Sequence, residues 1–104
     1  MPWVFLVLAG ILEIVWAFAM KQSAGFTRLV PTAIMVAAMF GSFALLALAM
    51  RSLPLGTSYM IWTGIGAVGA FVVGVVFLGE ALTAQRAIAA TLIVAGMVTM
   101  KMAN

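Results

Sequence analysis

Four long apolar runs, interrupted by only a handful of charges, constrain what this chain can fold into more than any other feature. The charged residues, in order, are Glu13, Lys21, Arg28, Arg51, Glu80, Arg86 and Lys101. Between them run Pro2 to Met20, Leu29 to Met50, about Gly56 to Gly79, and Ala87 to Met100. A helix needs roughly 20 apolar residues to cross the hydrocarbon core of a bilayer. A chain of 104 residues therefore predicts four crossings with almost no loop left over. Composition agrees: 67% of residues are hydrophobic and 7% charged, where a soluble domain carries about a quarter charged. There is too little polar surface to coat a water-soluble globule. The expected fold class is all-α integral membrane, one domain over residues 1–104 with helices near 2–20, 29–50, 56–79 and 87–102.

Several function classes drop out at once. The net charge of +3 is spread along a hydrophobic chain and forms no basic patch, so no nucleic-acid partner is expected. Cysteine and histidine are absent, which removes disulfides, Cys-ligated metals and the commonest general base. No cofactor, no metal site and no enzymatic activity are expected. The first lysine is Lys21, so the N-terminal run lacks the basic start of a secretory signal and reads as a retained helix.

The connections are short. Lys21 to Arg28 contains Ser23 and Gly25, with Pro31 suited to the first turn of the second helix. Arg51 to Gly56 contains Pro54, and Glu80 to Arg86 is a few polar residues. Links this brief require antiparallel neighbours, an up-down-up-down series. The fourth run is short for a span, and snorkelling by Arg86 and Lys101 extends it. Arg51 and Lys101 then fall on one side, and Lys21, Arg28 and Arg86 on the other. Topology follows a Lys/Arg bias, and two against three is hardly a bias. Insertion both ways round, and an antiparallel dimer with its two-fold axis in the membrane plane, are expected from that balance. A single orientation set by other features is the alternative.

Glu13 is the exception among the charges. It lies near the middle of the first apolar run, where a charge costs roughly 2.5–3.5 kcal/mol on insertion scales. Acids at that depth mark ion or substrate pathways, the blander role being a protonated carboxyl that packs helices. Ala9, Gly10, Trp16 and Ala17 sit three or four residues away on the same face. Three small residues leave room and one indole supplies a wall, a surface for cation–π attraction; an interfacial Trp is the plainer reading. Ser42, Tyr59 and Trp62 add nearly all the other polar handles at membrane depth, although each alone suits ordinary packing. Glu80, beside Gly79, reads as a solvated loop charge.

The glycines have their own logic. Gly64-Ile-Gly66-Ala-Val-Gly69 matches a nucleotide-binding fingerprint formally, but no strand precedes it and no βαβ unit fits. Gly66, Ala70 and Gly74 instead make a small-residue ridge at four-residue steps. Gly64 and Gly66 are candidate bend points. Ala89 and Gly96, seven apart on the fourth helix, form a strip with no ionisable group, an expected dimerisation surface.

Taken together, these residues resemble the small multidrug resistance transporter family over the whole chain. The resemblance rests on the four short helices, Glu13 in the first, Gly25-Phe-Thr-Arg-Leu-Val-Pro31, and Tyr59-Met-Ile-Trp62 followed by Thr-Gly-Ile-Gly66. Within the family, Val15-Trp16-Ala17 beside Glu13, Lys21, and Trp62 through Ala70 look like the guanidinium-exporter subtype; polyspecific members carry a small residue where Trp16 stands. Ser58-Tyr59-Met60 departs from the family pattern, in which Ala commonly flanks the Tyr. The resemblance implies an antiparallel homodimer exchanging protons for guanidinium across the bacterial cytoplasmic membrane. It implies Glu13 as the shared proton and substrate site, with Trp16, Ser42, Tyr59 and Trp62 around it and the fourth helix in dimerisation; helix spacing adds Gly10 to that pocket. The rival expectations are a polyspecific exporter of lipophilic quaternary ammonium drugs and, more remotely, a rotor-type or structural membrane subunit.

Overall fold

The computed structural model describes residues 2–103 and consists of four helices: α1 Pro2–Gln22, α2 Leu29–Met50, α3 Leu55–Phe77 and α4 Ala84–Ala103. No strand occurs among the described residues. The shortest helix has 20 residues, about 30 Å at 1.5 Å per residue, enough to cross the hydrocarbon core. All four are long and apolar enough to span a membrane.

The ends depart from the sequence expectation by a turn or less, each for a local reason. α1 continues through Lys21 and Gln22 until Ala24, Gly25 and Phe26 take positive φ values of 49°, 74° and 69°. Ser23 closes that turn by donating to the Met20 carbonyl at 2.6 Å and accepting the Phe26 N–H at 3.1 Å. α3 stops at Phe77, because Gly79 turns the chain at φ 68°, a conformation glycine adopts without steric cost. α4 begins at Ala84, earlier than the charge pattern implied, since the Thr83 hydroxyl accepts the Arg86 N–H and caps the first turn.

α1 packs against both α2 and α3, while α4 lies along α3. Small residues set the approach of α1 to α3. A Cβ on Gly10 would stand 2.6 Å from the Ile65 side chain, and one on Gly69 would overlap Ile14. Further along, Phe18 meets Phe77 edge-on at 6.5 Å. Position numbers rise together along this seam, so α1 and α3 run parallel, as two spans separated by one return helix must. Leu6, Ala9, Leu46, Ala49, Ile61 and Trp62 form the core. The Cα envelope is a slab of 40 × 34 × 16 Å, which leaves Leu29, Phe40 and Leu92 facing outward. In lipid these are not a liability, because acyl chains are as apolar as leucine.

Candidate functional site

Glu13 sits midway along α1 and points at α3. Its carboxyl rests on Gly66, where a Cβ would overlap Oε1 and Cδ. Glycine at 66 is therefore the space in which the acid is held. Oε1 is buried and has no hydrogen-bond partner. One turn on, the Trp16 indole N–H is also buried without a partner. Leaving one such group unpaired costs about 1–3 kcal/mol, and buried orphans of this kind call for an explanation. The unpaired carboxyl oxygen suits a ligand that presents N–H donors, and the indole one turn away offers a cation its π face.

Beneath Glu13 lies a closed polar network. Ser42, fully buried on α2, donates to the Ala9 carbonyl on α1 at 2.7 Å and accepts the Trp62 indole N–H from α3 at 2.9 Å. Three helices are thereby tied at one level. Ala9 is four residues before Glu13, so its carbonyl is the one that receives the Glu13 amide in a regular α-helix. The network fixes the backbone that carries the acid. It makes no hydrogen bond to the carboxylate. Trp62 is in turn clamped edge-on by Tyr59 at 5.3 Å and Phe43 at 5.9 Å. The Tyr59 side chain is half exposed, on the outer side of Trp62.

The remaining sequence candidates are placed as follows. Gly10 is the contact point for Ile65. Gly64 receives the Met97 side chain of α4, and α3 runs through Gly64 and Gly66 as continuous helix. Ala89 and Gly96 are exposed, with nothing within 4 Å of a Cβ on Gly96. A furrow of about 700 Å³ is apolar and lies towards the first loop, lined by Val15, Phe18, Pro31, Ile34 and Phe77 among others. Sequence reasoning passed over Ser58 and Phe43 as site residues. Ser58 is fully buried with an unpartnered hydroxyl; its place four residues before Trp62, on the same helix face, was the available signal. Phe43 follows Ser42 directly, and nothing in its spacing announced a contact across to α3.

Fold and site define a multi-pass membrane protein that holds one carboxylate and an aromatic-hydroxyl network at bilayer depth. The family model described as Small Multidrug Resistance protein matches residues 1–93. The chain is 52% identical over 104 residues to a guanidinium exporter of Escherichia coli (strain K12), covering 100% of this chain and 99% of the relative. It is 50% identical, with the same coverage, to guanidinium exporters of Citrobacter freundii and Salmonella typhimurium. The chain belongs to the small multidrug resistance family. It is a transporter rather than an enzyme, and a multi-pass protein of the bacterial inner membrane.

Proposed function

We propose that this protein exports guanidinium across the inner membrane in exchange for protons, with Glu13 as the one site for which the two compete. The observation that carries this reading is the unpaired Glu13 carboxyl oxygen, buried on Gly66 and one turn from the Trp16 indole. Guanidinium is planar and donor-rich, and it matches a carboxylate in bidentate fashion. Its positive charge also suits the face of an indole. The relatives at 50–52% identity, named guanidinium exporters, support the same substrate.

The working unit is an antiparallel homodimer. The near-even split of Lys and Arg between the two sides supports dual insertion. α4, with no buried residue and with Ala89 and Gly96 outward, supplies the surface for the second copy. Two Glu13 carboxyls then face one another at depth. Like charges at close range there must be neutralised, either by protons or by a cation. Arrival of guanidinium releases protons and arrival of protons releases guanidinium, which is antiport without a separate coupling device. Ser42, Tyr59 and Trp62 hold the floor of the site. Gly64 and Gly66 are where α3 would flex as the site changes sides.

The test is transport into proteoliposomes under an imposed pH gradient. Guanidinium should accumulate against its own gradient while protons move the opposite way, and dissipating the pH gradient should stop it. Guanidinium flux indifferent to the gradient would remove proton coupling. Faster proton-driven movement of a large aromatic quaternary cation would replace guanidinium as the substrate.

A further inference from the structure

Glu80 is the only other acid in the chain; it is an exposed loop residue, and the backbone of that loop gives its side chain a defined place. After α3 ends at Phe77, Gly79 turns the chain and the Glu80 N–H donates to the Gly74 carbonyl at 3.0 Å. That turn lays the side chain back over the helix it has just left. A Cβ on Gly74 would stand 2.6 Å from Glu80 Oε1 and 2.9 Å from Oε2. Gly74 is thus a seat for the Glu80 carboxylate, as Gly66 is for Glu13. Gly66, Ala70 and Gly74 follow at four-residue steps on one face of α3. The two acids therefore rest on the same α1/α3 seam, about two turns or roughly 12 Å apart along the axis.

A cavity of about 130 Å³ lies in the interval, lined by Ala17, Phe18 and Lys21 from α1, Ala70 and Val73 from α3, and Leu78 and Glu80 just after it. Lys21 is eight residues beyond Glu13, so its ammonium is carried at the loop end of the same α1 face. At about 30 Å³ per water, this volume has room for one small cation.

We propose that Glu80 is an outer cation-binding carboxylate. It takes small donor-bearing cations of the guanidinium type at the loop end of the α1/α3 seam, and Lys21 is the tethered cation that competes for it. The choice of cation rests on the proposed function above; the site itself rests on the Gly74 seat and the shared cavity. A carboxylate near the membrane surface concentrates cations without the full desolvation cost of one at mid-depth. In the antiparallel dimer, one Glu80 stands at each membrane face, so either mouth has its own outer site.

The chain offers a direct assay, because only Glu13 and Glu80 carry side-chain carboxyls. In Glu13→Gln protein labelled with ¹³C at the glutamate carboxyl, in lipid nanodiscs, the Glu80 signal is alone. Guanidinium chloride should shift it saturably, and tetramethylammonium chloride, which has the charge but no N–H donors, should not. Lys21→Gln should move the midpoint about two- to fivefold lower, the scale of one exposed charge pair. Gly74→Ala, which fills the seat while favouring helix, should remove saturation. The same titration on wild-type protein, with the Glu80 signal identified by its loss in Glu80→Gln, serves if Glu13→Gln does not fold. Equal shifts with both salts overturn the outer site, and an unchanged midpoint in Lys21→Gln overturns the role of Lys21. A saturable Glu80 shift without proton-driven guanidinium transport keeps this site and removes the proposed function; transport without the shift does the reverse.

Discussion

The three helices α1 to α3 and the fourth, α4, are built to different ends. Within the first three, Ser42 joins two neighbouring helices at 2.7 and 2.9 Å, glycines accept side chains from the next helix, and the core is shared. α4 has no buried residue and packs within its chain along α3. Met97 enters the notch at Gly64, and the Lys101 ammonium lies 5.2 Å from the centre of the Trp3 ring. α4 leaves its outer face uncovered by its own chain. The contrast teaches that the polar network beside Glu13 is tied within one copy, while the fourth helix presents a bare apolar face.

That division predicts the ranking of substitutions. The largest effect belongs to Glu13→Gln: the neutral amide can neither pair a cation nor release a proton, so substrate binding and proton exchange should both vanish. Calorimetric binding and proton-driven flux measure this, and surviving exchange would take Glu13 out of the mechanism.

Gly66→Ala comes next. Alanine is the better helix former by up to about 1 kcal/mol, yet its methyl would occupy the space of the Glu13 carboxyl. Thermal stability should hold or rise while guanidinium affinity falls. A variant that binds as wild type would show that the acid does not need this seat.

Trp16→Gly should act on selectivity. Removing the indole takes away the π face on which a cation can rest, about 0.5–2 kcal/mol, or roughly twofold to thirtyfold in guanidinium affinity. A lipophilic quaternary cation should lose less or gain from the opened wall. Paired titrations of both cations decide it, and equal weakening would reduce Trp16 to a packing residue.

The smallest intrachain effect is expected from the other side of the comparison. Gly96 is exposed and a Cβ there meets nothing within 4 Å, so helix content should stay constant in Gly96→Leu. Cross-linking yield and transport should fall together as the second copy is pushed away. If dimer yield is unchanged and flux normal, the bare face of α4 is a lipid surface instead.

Much of this was legible in one dimension. The membrane class, four spans, short antiparallel links and an acid stranded at depth follow from where charges interrupt hydrophobicity, because span length and the cost of a buried charge depend on local composition alone. The grouping of Ser42, Tyr59 and Trp62 as scarce polar handles was also readable. Their connections were not. Ser42 reaches Ala9 across 33 positions and Trp62 across 20, and only the parallel register of α1 on α3 decides that Glu13 meets Gly66 while Gly10 meets Ile65. Glu80 divides the same way: charge and position made it an exposed loop residue, which it is, and only the left-handed turn at Gly79 laid its side chain on Gly74. Hydrophobicity sums along a chain and can be read from it, whereas the meeting of two side chains depends on backbone rotations that no single stretch of sequence contains.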